Sequence, residues 1–332
     1  MRYRYFRALC GKRVFSLILI ACILPTALSG GSKYLRRYFY SVKKNVTFQG
    51  SDVGGMLPEE ARAVVTGVAR AMHVKPVDAV PDKEFGGVIP DLNGYGVDID
   101  STVDAILRAK RGESIEAVLK QVPAQVRLSD FPELAVFRGN PAKQQVTFLI
   151  NVAWGNEYLP AMLDVLKEEK VGASFFLVGR WVRQFGEMAL AIRDAGFELA
   201  NHGDSDAAAM GAMSIEAARE QISRCNETVF SVCGVRTQFF SPHKGELSEN
   251  VLKAAALENM RVIMWTVDTV DWKLPGVENM LEKILDNAAG GSLILMHPTA
   301  QTAEFLRQVI PGLRQRGLEP VSLAELLSPS YQ

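Results

Sequence analysis

The spacing of apolar residues divides the chain into three regions. From Gln145 onward, short and nearly continuous apolar runs alternate with segments in which apolar residues recur every three to four positions. The runs Val146–Val152, Ala173–Val178, Phe197–Ala200, Thr237–Phe240, Val262–Trp265, Ser292–Met296 and Pro320–Ser322 predict strands. The segments Tyr158–Glu169, Val182–Ala195, Ser214–Phe230, Glu249–Leu257, Val277–Ala288, Ala303–Arg314 and Leu323–Leu327 predict helices. A strand that is apolar along its whole length is buried on both faces, as in a parallel sheet flanked by helices. Seven such units in about 180 residues predict an α/β fold, a small distorted parallel (β/α)7 barrel over residues 145–328.

Residues 45–127 follow a different pattern, with shorter and mixed elements. Val46-Thr47-Phe48 predicts a strand and Gly54-Gly55 a turn. Pro58-Glu59-Glu60-Ala61 opens a helix to about Met72, with Pro at an early position where its missing N–H costs nothing. Asn93-Gly94 is a turn after Val88-Ile89-Pro90, a second helix begins near Ser101-Thr102, and a further segment runs from Ser114 to Gln121. We expect a small, separate α+β domain here, in which His73 has a structural role. Pro132, Gly139 and Pro141 then suggest a linker over 128–144.

The first 30 residues have the form of an export signal. Arg2, Arg4, Arg7, Lys12 and Arg13 precede the apolar run Val14 to Leu28, a basic region followed by an apolar one. Ala27-Leu28-Ser29 has the small-x-small form of a cleavage site, and Leu19-Ile20-Ala21-Cys22 has that of a lipobox. The third alternative is an uncleaved anchor, short against the roughly 20 residues of a spanning helix. Lys33, Arg36 and Arg37 follow closely, and positive charge just past a cleavage point hinders export. We therefore expect a single N-terminal membrane anchor with both domains outside the cytoplasm, and secretion after cleavage as the alternative.

Composition narrows the function classes. With 332 residues and 48% hydrophobic content, the chain is globular, not disordered. Lys+Arg and Asp+Glu both number 37, so no charge excess points to a nucleic acid. No Gly-rich phosphate loop follows a predicted strand, so no nucleotide cofactor is expected. Cys225 and Cys233 are a disulfide if oxidised, or two buried thiols.

In a barrel of this kind, chemistry sits at the C-terminal ends of the strands, and the polar clusters fall there. The third strand leads into Asn201-His202-Gly203-Asp204-Ser205-Asp206 and the fourth into Ser241-Pro242-His243-Lys244-Gly245. The fifth leads into Asp268-Thr269-Val270-Asp271-Trp272 and the sixth into Leu295-Met296-His297-Pro298. Three of the four histidines lie at these ends. Each alone would be an ordinary packed residue; together they point to a site or its remains. The first strand, by contrast, ends on Ala153-Trp154-Gly155, with no acid.

This order resembles the NodB-type polysaccharide deacetylases, carbohydrate esterase family 4, over roughly Gln145 to Leu327. In that family the first strand ends Thr-Phe-Asp-Asp-Gly, and His-x-x-x-His, Arg-Pro-Pro, Asp-x-x-Asp-Trp and Leu-x-His follow. The resemblance implies a divalent metal, usually zinc, held by one Asp and two His. A second Asp acts as base and the last His as acid. Zinc lowers the pKa of its water towards about 7 and polarises the amide carbonyl. Here Gly155, His202, Pro242, Asp271-Trp272, Leu295 and His297 match. Ala153 stands at the base position, Trp154 at the metal Asp, Asp206 at the second metal His and Ser241 at the Arg.

The departures fall on the base and the metal. Losing a positioned base costs about 10²–10⁴-fold in rate, and His202 with Asp206 supplies only two of the usual three ligands. Asp204 is the only further candidate nearby. The resemblance therefore implies His297 at the acid position, tuned by Asp271, and Trp154, Pro242, Trp272 and Leu295 as the walls of a glycan groove. His297 bonded to Asp271 or Asp268 for packing alone is the structural alternative, and no role is assigned to His243.

The expected function is a degenerate, non-catalytic envelope protein that binds a peptidoglycan-like cell-wall glycan or a wall protein. It needs no cofactor. The alternatives are an active deacetylase, with zinc or another divalent metal, and an interaction module in which the barrel is only scaffold. The small domain, through Gly54-Gly55, the Pro58 helix and Gly96-Val97-Asp98-Ile99-Asp100, resembles peptidoglycan-binding domains. The INVAWG opening resembles deacetylase-like proteins of spore-forming bacteria.

Overall fold

The computed structural model describes residues 35–330. The expected signal or anchor, residues 1–30, lies outside them. No helix among the described residues is long and apolar enough to cross a membrane.

The larger unit is built on eight strands: β1 (Gln145–Val152), β2 (Ser174–Leu177), β3 (Glu198–Asn201), β4 (Phe239–Phe240), β5 (Arg261–Val262), β6 (Val267–Asp268), β7 (Leu293–Met296) and β8 (Glu319–Pro320). Their order is β5-β4-β3-β2-β1-β7-β6, with β8 also pairing β1. Every pairing is parallel. The sheet curls into a parallel half-barrel. Along β1 the side chains alternate between two cores, because successive residues of a strand face opposite ways. Val146, Phe148, Ile150 and Val152 pack under the helices. Leu149 meets Phe176, Ala200, Ile263 and Leu293 inside the barrel. Thr147 and Asn151 share that inner face and are themselves buried.

The helices start and stop where local chemistry dictates. Ser214 and Ser248 cap the helices Ile215–Cys233 and Glu249–Leu257 through their side chains, satisfying backbone N–H groups left open in a first turn. Gly234, at φ 70°, ends the longer one. The predicted helix Val182–Ala195 is two helices, Gly179–Gln184 and Gly186–Asp194, broken at Phe185. Cys225 and Cys233 are both buried free thiols. Burial pushes the Cys225 thiol up to about 12.

Residues 128–144 do not form the expected linker. Val136 makes a parallel bridge to Ile263, and Arg138 an antiparallel one to Ser292. Ala135 and Val136 are buried, so this segment fills the barrel wall beyond β5. Its prolines and glycines serve close packing there: a Cβ on Gly139 would meet Leu326 at 3.0 Å. Residues 76–93 also belong to the larger unit. Asp82 accepts a 2.8 Å ion pair from Arg138.

The smaller unit comprises residues 35–75 and 94–122. It has the helices Pro58–Ala71 and Ile99–Arg108 packed around Val46, Phe48, Val65 and Ile106. The predicted segment Ser114–Gln121 resolves into two short strands, Ser114–Ile115 and Leu119–Val122. The second pairs antiparallel with Gly94–Val97.

Candidate functional site

The C-terminal strand ends converge on a pocket of about 480 Å³. It brings together Ala153, Trp154, His202, Asp206, Trp272, Leu295 and His297 from the expected site, together with Asn151, His243, Lys244, Trp265 and Asp268. Pro242 is buried in the loop behind and does not line it.

The turn after β6 carries the most strained backbone. Val270 and Leu274 sit at φ 57° and 51°, a region that β-branched and bulky side chains rarely adopt. The Asp268 carboxylate accepts the Val270 N–H at 2.8 Å and holds the turn. Between the two residues, Asp271 is turned fully inward while Trp272 is 54% exposed at the pocket mouth. Asp271 accepts three hydrogen bonds: the His297 backbone N–H at 2.6 Å, its Nδ1 at 2.9 Å, and the Thr302 hydroxyl at 3.3 Å. A carboxylate acceptor places a proton on Nδ1. His297 is thus bonded to Asp271 and not to Asp268.

Trp154 lies over this imidazole. The two rings are stacked, with centroids 5.3 Å apart and planes 22° from parallel. The indole covers one face of His297 and stays 47% exposed on its own. Gly155, at φ 62°, makes the turn, and its carbonyl accepts the indole N–H of buried Trp181.

Around β3 the chemistry is that of neutral imidazoles. His202 is buried, and its Nδ1–H donates to the Ser241 carbonyl at 2.7 Å. Burial first, then neighbouring His243, holds His202 well below its usual pKa. The two rings meet edge to face at 4.5 Å. His243 is pushed down to about 4, chiefly by burial and against the opposing pull of Asp206 and Glu246. Its Nε2 lies against Gly203, where a Cβ would come within 2.8 Å and where φ is +77°.

These depressed values have a stability consequence. An unfolded histidine titrates near 6.5. Between that pH and about 4 the unfolded chain binds more protons, so stability falls as pH falls through this window. His243 alone accounts for a loss on the order of 3 kcal/mol by the acid end. Thermal melts at about pH 7.5 and 5 should show a larger drop in Tm for the natural chain than for His243→Asn. Equal drops would remove His243 as the cause.

The residues present do not fit a catalytic metal. Three protein ligands are the usual minimum, and among the described residues no group of three or more His, Cys, Asp or Glu is arranged to hold an ion. Asp204 is taken by Arg183 at 2.6 Å. Asp206 is taken by Arg180 at 2.8 Å. The same Arg180 Nη2 donates to the Ala153 carbonyl at 3.4 Å, so a guanidinium spans the gap between the first and third strand ends. Sequence reasoning missed Arg180 because it considered the first and the third to sixth strand ends and omitted the second. The signal was present: Gly179-Arg180 directly follows the second apolar run. Asn151 was missed because it is one polar residue within a strand.

The comparisons with known proteins agree with this geometry. A family model described as polysaccharide deacetylase matches residues 138–263. The uncharacterized protein YlxY of Bacillus subtilis is 36% identical over 255 residues, covering 77% of this chain and 79% of its own. A peptidoglycan-N-acetylglucosamine deacetylase of Bacillus cereus is 31% identical over 201 residues, covering 59% and 73%. The crystal structure of wild-type BA3943, a CE4 family pseudoenzyme from Bacillus anthracis, is similar at a TM-score of 0.71 and 32% identity, covering 82% of this chain and 96% of that one. A mutant of it, described as having restored enzymatic activity, matches at the same TM-score of 0.71 and 32% identity, covering 82% of this chain and 99% of that one. The family acts on cell-wall glycans such as peptidoglycan, and its deacetylases are generally metal-dependent. This chain belongs to the polysaccharide deacetylase family.

Proposed function

We propose that this chain is an envelope protein that binds an N-acetylated wall glycan in the former catalytic pocket without hydrolysing it, held at the membrane by its N-terminal segment. The carrying observation is the Arg180 guanidinium bonded to Asp206 and to the Ala153 carbonyl. A fixed cation and its counter-ion stand where a deacetylase needs an ion, a water and a base. Trp154 closes the same space from the side of His297.

What remains suits a sugar. Three of the chain's four tryptophans, Trp154, Trp265 and Trp272, line the pocket, and an exposed indole offers an apolar face for a pyranose ring. At the floor, the Asn151 side-chain oxygen is buried without a hydrogen-bond partner, an acceptor suited to a sugar hydroxyl or acetamido N–H. The smaller unit adds a second wall-binding surface in this reading.

Calorimetric titration with N-acetylglucosamine oligomers tests it. Trp272→Ala should weaken binding about tenfold, the equivalent of ~1.4 kcal/mol for a stacked aromatic. No binding by the natural chain, with capture of a wall protein instead, would leave the barrel as scaffold. Acetate release that chelation abolishes would establish an active deacetylase and end the proposal.

A further inference from the structure

The smaller unit carries an exposed helical stretch whose charged residues are tied to the protein by ion pairs while its apolar residues face solvent. Residues 35–40 are helical. At 3.6 residues per turn, Leu35, Tyr38 and Phe39 share one face and Arg36, Arg37 and Tyr40 the other. The polar face is tied to the protein only through its arginines, which stay exposed: Arg36 pairs with Glu59 at 3.2 Å and Arg37 with Glu60 at 2.5 Å, while Tyr40 on the same face is 66% exposed. Those acids begin the helix Pro58–Ala71, and Glu60 also accepts the Leu57 N–H, which fixes it in place. The apolar face is left to solvent, with Leu35 56%, Tyr38 75% and Phe39 69% exposed. Tyr38 and Phe39 touch only edge to face, at 5.1 Å. The neighbouring Val42, by contrast, faces the core at 1% exposure.

Charge follows this stretch closely in the chain. Three residues beyond Tyr40 the chain enters the turn Lys43-Lys44, which adjoins the turn Lys110-Arg111 through a bond from the Gly112 N–H to the Lys44 carbonyl at 3.3 Å. All four cations are exposed, and none enters an ion pair among the described residues. The carboxylate of Glu113 is engaged by the Lys110 N–H at 2.6 Å. Upstream, the apolar run Val14 to Leu28 ends six residues before Leu35.

We propose that Leu35, Tyr38 and Phe39 lie in the headgroup layer of an anionic bilayer, with Lys43, Lys44, Lys110 and Arg111 against its surface, so that this face of the smaller unit is a membrane-docking collar. The proposal rests on the N-terminal segment reaching the membrane, and it adds that the folded unit itself docks there. Tyrosine favours this layer because it has an apolar body and a polar tip, and Leu35 and Phe39 add apolar area beside Tyr38. Clustered Lys and Arg add attraction to anionic lipid, about fivefold in partition for each cation near the surface. The ion pairs to Glu59 and Glu60 orient the turn, presenting its apolar face outward before lipid is met.

The test uses the full chain in vesicles of phosphatidylglycerol and phosphatidylcholine. Phe39→Cys, in a chain with Cys10→Ser and Cys22→Ser, takes an environment-sensitive fluorophore; Cys225 and Cys233 are buried. The expected result is blue-shifted emission, quenched by lipids spin-labelled near the headgroup, beside water-like emission from the same label at Lys253→Cys. Replacing the four cations by serine should remove the dependence on phosphatidylglycerol. A chain that resists alkaline carbonate while its Phe39 label reads water would overturn docking and leave the anchor standing. A chain that carbonate releases, with the label blue-shifted beforehand, would sink the anchor and keep the docking face. Release with a water-like label overturns both.

Discussion

A chain carrying Ala153→Asp, Trp154→Asp and Asp206→His should bind zinc more tightly than the natural chain, and adding Arg180→Gln should tighten it further by at least about tenfold. The three substitutions supply an Asp and a second His beside His202, whose Nδ1–H is already fixed on the Ser241 carbonyl. That bond leaves Nε2 as the lone-pair nitrogen, as a metal ligand requires. They also free Arg180, because its partner carboxylate at 206 is gone. A guanidinium left near a divalent ion in a half-buried site repels it by several kcal/mol at an effective dielectric of about 20, hence the fourth substitution. Elemental analysis and zinc titration are the measurements. Stoichiometric zinc in the natural chain would show that Arg180 does not displace the ion, and no zinc in the fourfold variant would show that the ligand frame itself has been lost. Turnover is a separate matter, since buried Ser241 still stands where the family holds its base with an arginine.

The barrel was legible in the sequence because its signal is redundant. Most strands had to be apolar on both faces and were followed by a helix of suitable length, so small errors at their ends changed nothing; the predicted strand Val262–Trp265 is the exception, because β5 and β6 follow one another there with no helix between them. The linker was misread for a physical reason. Gly and Pro mark turns, but they also permit close backbone approach, and Gly139 and Pro141 sit in a segment packed against the barrel wall. A Cβ on Gly291 would meet the Gly139 carbonyl at 2.7 Å. Composition cannot tell a flexible segment from one flattened against its neighbour. The break at Phe185 was hidden because both of its flanking helices carry the same apolar period.

The site was legible by position and opaque in its pairings. The losses at Ala153 and Trp154 could be read directly, and so could the clustering of His202, Asp271 and His297. What occupied the gap could not. Arg180 reaches Asp206 across the space between two strand ends, a relation among residues 26 apart that no local pattern encodes. The inward turn of Asp271 depends on Val270 and Leu274 at positive φ, and neither residue type announces that conformation. The edge-to-face contact of His202 with His243 was equally invisible, which is why His243 had been left without a role.

Trp181→Ala should be among the most damaging single substitutions in the barrel, costing about 3–5 kcal/mol. The indole is 1% exposed and packs on Phe185 at 5.6 Å. It sits on the short helix Gly179–Gln184, one residue past Arg180. Its N–H donates to the Gly155 carbonyl, so it pins the turn that presents Trp154 to the pocket. Volume and hydrogen bond can be separated. Trp181→Phe keeps most of the apolar bulk and loses the donor, leaving the part-buried Gly155 carbonyl without this partner at about 1 kcal/mol. Denaturant melts should therefore rank the natural chain above Trp181→Phe, and that above Trp181→Ala. Glycan titration of the Phe variant then tests the link between fold and site: weaker binding with a folded barrel means that the position of Trp154 matters, whereas unchanged binding means that the turn holds its shape without Trp181.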